Sequence, residues 1–205
     1  FGSMDMLCTD KTGTLTEGVV RLDGALDIKG QPSTTVLRYA YLNAHYQTGL
    51  NNPLDEAVTA YAEKAGLDIK TEQKINEIPY DFIRKRLSVV ISNAQGKHTL
   101  ITKGAMEQIL NICVNVQSEN DKGLLDDATR TEIERRYSEW SEQGFRVLGV
   151  ATRDIDKQQV SYSRADEKGL SFAGFLLFFD PPKADVHQVI TDLAKRGVQL
   201  KIITG

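Results

Sequence analysis

The sequence predicts an α/β fold in which the two ends of the chain build one parallel sheet and an α+β segment is inserted between them. Three observations carry this. The apolar run from Met4 to Thr9 reads as a short strand that delivers Asp10 to its tip. Residues 172–203 read as strand, helix, strand, a βαβ unit and hence parallel pairing. The stretch between shows helices and a hairpin, without the regular βα alternation of a parallel fold.

Composition agrees with a globular chain of one large or two small domains. The 205 residues set 25 Lys+Arg against 28 Asp+Glu, a formal charge of −3, with 40% hydrophobic residues. Interspersed charges of both signs leave no broad basic footprint, so nucleic acid is not an expected partner. The longest strongly apolar stretch, Phe172 to Phe179, is far short of the roughly 20 residues of a spanning helix. Cys8, Cys113, His45, His98 and His187 show no zinc-like spacing, and the cysteines read as reduced thiols.

The elements follow in order. Thr34 to Tyr46 places Val36, Leu37, Ala40, Tyr41 and Ala44 on one helix face. Pro53 to Ala65 is a second helix, capped by Asn52, with Pro53 at its first position and Gly66 past its end. Leu87 to Ile91 and His98 to Thr102 are strands joined through Asn93-Ala-Gln-Gly96, and Ala105 to Ile112 continues as a helix. Asp126 to Gln143 is a charge-rich surface helix that turns Ile133, Tyr137 and Trp140 to the core. Phe145 to Ala151 and Phe172 to Phe179 are strands, the latter buried on both sides. Asp185 to Arg196 is a helix with Val186, Val189, Ile190, Leu193 and Ala194 inward and Gly197 as its stop. Val198 to Gly205 reads as a buried strand entering a turn, which suggests a piece of a longer protein.

The chemistry concentrates at Asp10-Lys-Thr-Gly-Thr-Leu-Thr16. A carboxylate at the carboxyl end of a parallel strand sits where open α/β sheets place their ligands. Gly13 permits close backbone approach, and Thr12 and Thr14 bring hydroxyls and amides to phosphate oxygens. Asp10 can then act as a nucleophile on a phosphoryl group. The plain alternative is a turn closing a hairpin.

The run Cys8-Thr-Asp-Lys-Thr-Gly-Thr-Leu-Thr16 resembles the phosphorylation motif of the P-type ATPases, membrane pumps with a haloacid-dehalogenase-like catalytic core. Phosphatases of that superfamily are similar but carry a second Asp two places on, where this chain has Thr12; a phosphatase with a cap domain stays as an alternative. Asp180-Pro-Pro-Lys183 resembles the point where these pumps re-enter the phosphorylation domain, and Thr204-Gly205 the start of a Thr-Gly-Asp motif. The resemblance implies a partial phosphorylation (P) domain from residues 1–19 and 171–205 around a nucleotide-binding (N) domain at 20–170, an antiparallel sheet flanked by helices.

Within that insert, Lys103-Gly-Ala105 resembles the family's nucleotide signature, with Lys103 on the pocket floor and Gly104 leaving room for adenine; a surface lysine before a helix is the other reading. Pro79-Tyr80 is similar to a Pro-Phe pair whose ring stacks on the base; a core tyrosine is the other reading. Arg84-Lys-Arg86 is either an exposed basic turn or a phosphate-steering cluster with Lys85 as the contact. Asp55, in Asn52-Pro-Leu-Asp-Glu-Ala57, could accept from the adenine amino group, or serve only the helix dipole. Arg146 resembles an arginine that reaches the triphosphate, against a surface ion pair.

The resemblance implies Mg·ATP as ligand, phosphoryl transfer to Asp10, assistance from Lys11 and the Thr12–Thr14 backbone, and Mg²⁺ held by Asp10 and the Thr12 carbonyl. It implies contacts to the nucleotide or its metal from Asp180, Lys183, Thr204 and Gly205, and closure of the N domain onto the P domain. Partners would be the actuator and membrane domains of the same polypeptide on the cytoplasmic face of a membrane, and a transported cation. His45 to Asp55 and Phe1 to Asp5 look most like the bacterial magnesium-translocating subgroup, with proton or calcium pumps as competitors. For the chain by itself the expectation is a nucleotide-binding module with little or no turnover.

Overall fold

Helix α1 (Thr34–Tyr46) forms where the sequence places it, because Ser33 accepts from the Val36 N–H at its start and buries Val36, Leu37, Ala40, Tyr41 and Ala44. Helix α2 (Pro53–Lys64) is capped by Asn52, whose Oδ1 accepts from the Leu54 N–H at 3.0 Å. Gly66 follows at φ +72°, a backbone that favours glycine at a helix end. The computed structural model describes residues 4–49, 52–118, 122–155 and 161–203.

The chain divides into two compact units, a larger one of Leu22–Phe178 and a smaller one made of the segments up to Arg21 and from Phe179 on. The larger is built on an eight-stranded sheet. Its strands are β2 (Arg21–Asp27), β3 (Gln73–Asp81), β4 (Arg86–Ser92), β5 (His98–Ala105), β6 (Cys113–Gln117), β7 (Lys122–Leu124), β8 (Arg146–Ile155) and β9 (Leu170–Phe179). Their order is β3-β4-β5-β8-β9-β6-β7, with β2 also paired to β9. Neighbours from β3 through β9 run antiparallel, as do β6 and β7; β6 and β9 run parallel. The expected antiparallel sheet flanked by helices is therefore present.

Successive strand residues point to opposite faces. On one face lie α3 (Met106–Leu110) and α4 (Asp127–Glu142), over a core that includes Ile78, Leu100, Ile109, Ile133, Phe172 and Phe175. Trp140 of α4 meets Phe175 edge-on at 5.0 Å, while Tyr137 stays 38% exposed. The other face is covered by α1, which packs on α2. Asn43 of α1 is fully buried and donates through Nδ2 to the main-chain oxygens of Ile101 and Leu87, tying the helix to β4 and β5.

The expected βαβ unit is corrected here. Strand β9 belongs to the larger unit's sheet, antiparallel to β8, and not to a parallel pair with the last strand. Its nearly all-apolar sequence needs cover on both faces, which a sheet between two helical layers supplies, but apolarity does not say which sheet. The larger compact unit accordingly runs on to Phe178.

In the smaller unit, β1 (Met6–Asp10) pairs in parallel with β10 (Gln199–Ile203), in register from Met6↔Gln199 to Asp10↔Ile203. Helix α5 (Val186–Lys195) precedes β10 and ends before Gly197 at φ +77°. None of its residues is buried, and Val189 and Ile190 are 46% and 39% exposed, so the expected inward face is only lightly covered. With Leu7, Leu15, Leu193 and Leu200 they line an apolar hollow of about 250 Å³. Among the described residues, no helix is long and apolar enough to cross a membrane.

Gly174, opposite Val150 beside a bulge in the β8–β9 pair, is a site of tight packing. A Cβ there would stand 2.0 Å from the Leu26 main-chain oxygen. Main chain cannot yield as a side-chain tip can, so Gly174→Ala is expected to cost about 3 kcal/mol, read as a lowered urea midpoint. An unchanged midpoint would show that β2 and β9 separate at little cost.

Candidate functional site

Asp81, Arg86, Gly104 and Gly149 stand in one row across β3, β4, β5 and β8, and the residues singled out in the larger unit gather near this end of the sheet. Lys103 precedes the row on β5 and turns toward the α2 layer, where its Nζ pairs with Asp55 Oδ1. Asp55 lies in the first turn of α2, where a negative charge also favours the exposed N–H groups of the helix. Both residues are buried, at 6% and 8% exposure. Burial pushes the Lys103 ammonium below its ordinary value, and the Asp55 charge pulls the other way. The structure thus joins two residues that the sequence offers separately.

Gly104 does something other than expected. A Cβ there would lie 2.4 Å from the Lys85 carbonyl oxygen and 2.7 Å from Arg86 Cα. On the side a Cβ would occupy, the missing side chain makes room for the β4 main chain. Close β4–β5 approach is what the glycine permits, and Ala105 N–H donates to the Lys85 oxygen at 2.9 Å beside it.

The three basic residues at 84–86 split by role. Arg84 and Arg86 are largely buried and both reach Glu167 Oε2, so neither is an exposed steering charge. Lys85 alone of the three is exposed. It adopts φ +47°, an uncommon backbone for a residue with a side chain, inside a turn closed by its N–H donating to the Asp81 oxygen at 2.7 Å. Asp81 Oδ1 accepts from the Arg84 and Ile83 N–H groups, and these bonds hold its carboxyl below the ordinary range.

Tyr80 is 49% exposed, which removes the core reading; its ring meets Phe82 edge-on at 5.4 Å. Phe82 and Ile83, at 85% and 88% exposure, form the bare tip of the same turn. Arg146 is exposed at the start of β8, two residues beyond the Ala105↔Leu148 pair. An exposed ring, an exposed lysine and an exposed arginine around a buried lysine can take a flat base and an anionic chain.

Sequence reasoning missed Glu167. It lies in the charged run Arg164-Ala-Asp-Glu-Lys168, which reads as a solvated loop, yet its side chain is fully buried and accepts from Arg84, Arg86 and Ser88. No local pattern marks it, because its partners lie some 80 residues earlier.

In the smaller unit, Asp10 ends β1 and is exposed, with Oδ1 accepting from the Lys11 N–H at 2.8 Å. Lys11, Thr12 and Thr14 are exposed in the turn that follows. Asp180 accepts from Thr16 Oγ1 at 2.5 Å and the Gly18 N–H at 2.9 Å, and Lys183 Nζ donates to the Gly13 oxygen at 3.0 Å. Asp180 and Lys183 therefore clasp the loop after Asp10, while the Lys183 side chain stays exposed. Thr204 and Gly205 lie outside the described residues.

Comparison with known proteins gives a consistent picture. Residues 36–185 match the family model described as P-type ATPase, cytoplasmic domain N. The whole chain is 44% identical to a protein of Salmonella typhimurium named magnesium-transporting ATPase, P-type 1, and 43% identical to one of that name in Escherichia coli K12, covering 23% of each. A Lactococcus lactis protein named calcium-transporting ATPase 1 is 28% identical, with 25% of it covered. The chain thus spans about a quarter of the length of these relatives.

The buried lysine has a measurable signature. Unfolded, Lys103 holds its proton up to about its ordinary value of 10.5; folded, it gives the proton up earlier. Between those points the unfolded state binds more protons, so this residue makes stability rise with pH. The stability difference between wild type and Lys103→Met, from urea unfolding, is expected to shift in favour of wild type as pH rises toward the ordinary lysine value of 10.5. A flat difference would show that burial leaves the ammonium unperturbed.

Proposed function

The chain belongs to the P-type ATPases, and from that membership we propose that it is the ATP-binding and phosphorylation portion of a cation pump. The larger unit is then the nucleotide-binding domain and the smaller one part of a haloacid-dehalogenase-like phosphorylation domain. One observation carries the reading: Lys103 and Asp55, paired in the fold, stand near the end of the sheet that also bears exposed Tyr80, Lys85 and Arg146.

In this reading Tyr80 stacks on adenine, because a base offers its π-face to any accessible ring. Lys103 and Asp55 supply one donor and one acceptor for the base and its sugar-phosphate, and Lys85 and Arg146 neutralise the triphosphate. In the intact pump an oxygen of the Asp10 carboxylate, in the smaller unit, attacks the γ-phosphorus. The bond to the β–γ bridging oxygen breaks, and ADP leaves with that electron pair. Lys11 and the Thr12–Thr14 turn orient and offset the transferred charge.

The donor set at Asp10 suits Mg²⁺, a hard cation that takes oxygen ligands and keeps several waters. The Asp10 carboxylate and the Thr12 carbonyl would hold it, and when bound it offsets phosphate charge. Asp180 and Lys183 keep the loop in shape for this. Magnesium as the transported ion is our reading from the names of the relatives, as is the placing of this portion at the cytoplasmic face of a membrane.

We also propose that this chain by itself binds ATP without turning it over. Titration with ATP, followed by amide shifts, is expected to show about tenfold weaker binding in Tyr80→Ala and in Lys103→Ala. Asp10→Ala should bind as wild type does. Unchanged affinity in both of the first two variants would refute the nucleotide reading. Stable labelling from γ-labelled ATP that disappears in Asp10→Asn would refute binding without turnover.

A further inference from the structure

The β3–β4 turn presents Tyr80 and Lys85, yet it has no core of its own: Phe82 and Ile83 at its tip are almost fully exposed. Something outside the turn has to fix its shape. The hydrogen bonds lead to one carboxylate. Glu167 Oε2 accepts from Arg84 Nη1 and from Arg86 Nε at 2.9 Å, and Oε1 accepts from Ser88 Oγ at 2.7 Å. Ser88 in turn lies 2.7 Å from Thr102 Oγ1 on the strand that carries Lys103.

Arg84 is the lever between this anchor and the turn. Its Nη2 donates to the Pro79 oxygen at 2.7 Å, the peptide group leading into Tyr80. Its own N–H is held by Asp81, whose carboxylate also pairs with Arg164 at 3.0 Å, from the same loop as Glu167. Arg84 and Arg86 flank Lys85, so with both drawn inward onto Glu167 the intervening residue is left pointing to solvent at φ +47°. A planar guanidinium fixed by a buried carboxylate is well suited to hold such geometry, since its fork sets direction as well as distance.

We infer that Glu167 is a positioning residue for the nucleotide site: through Arg84 and Arg86 it holds the β3–β4 turn so that Tyr80 and Lys85 meet base and phosphate. This rests on the reading of Tyr80 and Lys85 as nucleotide contacts. Glu167 touches no ligand itself; without it the turn samples other shapes and binding has to select the competent one.

The test uses this chain, with ATP affinity from amide-shift titration and folding checked by far-UV circular dichroism. Folded Glu167→Gln is expected to bind ATP about tenfold more weakly. In a Tyr80→Ala/Lys85→Ala background the same substitution should cost less than about twofold, because the groups it acts through are gone. A purely structural residue would not show that dependence. Affinity within about twofold of wild type, or a loss that persists in full in the double-variant background, overturns the inference. If Glu167→Gln does not fold, Arg84→Gln, which cuts the link to Pro79 and leaves the Glu167–Arg86 pair, decides by the same two criteria. If Tyr80→Ala/Lys85→Ala binds ATP as wild type does, the nucleotide reading fails and this inference falls with it; if that variant is weakened and Glu167→Gln is not, only the inference fails.

Discussion

A lysine ammonium buried on an inner strand needs a counter-charge, and Asp55 supplies it from the first turn of a helix in the neighbouring layer. Removing one partner of such a pair typically costs about 3–5 kcal/mol, because a charge is left without compensation. The pair therefore fixes where α2 sits on the sheet, and it does so near the end where the exposed ring and basic residues stand. Ordinary packing could hold the helix as well with an apolar pair. In the proposed function the two charges are retained because the nucleotide needs one donor and one acceptor there.

The opposite face of the sheet repeats the arrangement with the charges exchanged. There the carboxylate of Glu167 is the buried centre, and two arginines converge on it. Lys103 and Thr102 are adjacent on β5 and point to opposite faces, so one strand carries a contact of each system. Gly104 follows, and its lack of a side chain lets the β4 main chain close down beside both. The Lys-Gly-Ala run is thus a packing signature in its own right. The clasp of Asp180 and Lys183 in the smaller unit follows the same logic, with charged side chains spent on fixing the shape of a loop.

Much of this was legible in the sequence where the cause is local. Helices α1 and α2 follow from caps and periodicity, and the β4–β5 hairpin from Asn93 and Gly96, whose turn Asn93 Oδ1 closes onto Gln95 and Lys97. What escaped depends on distant partners. Strand β3 contains Pro79 and charged residues and shows no clean alternation, so only its pairing with β4 reveals it. Strand β9 was read correctly as doubly buried but placed in the wrong sheet, since its neighbours β8 and β2 are set by topology. Asp55 and Lys103 were each picked out, but their pairing across 48 positions was not. Glu167 carried no signal, because a glutamate in a charged loop looks the same whether solvated or buried.

In the proposed function, adenine and phosphate lie near the end of the sheet beside Tyr80, Lys103 and Asp55. The most direct measurement is an isotope-filtered nuclear Overhauser experiment on labelled chain with unlabelled ATP, which reports only contacts between adenine protons and protein. Contacts are expected from adenine H2 and H8 to the Tyr80 ring and to the Lys103 methylenes. Contacts to another surface of the larger unit, or none at saturating ATP, would contradict this placement.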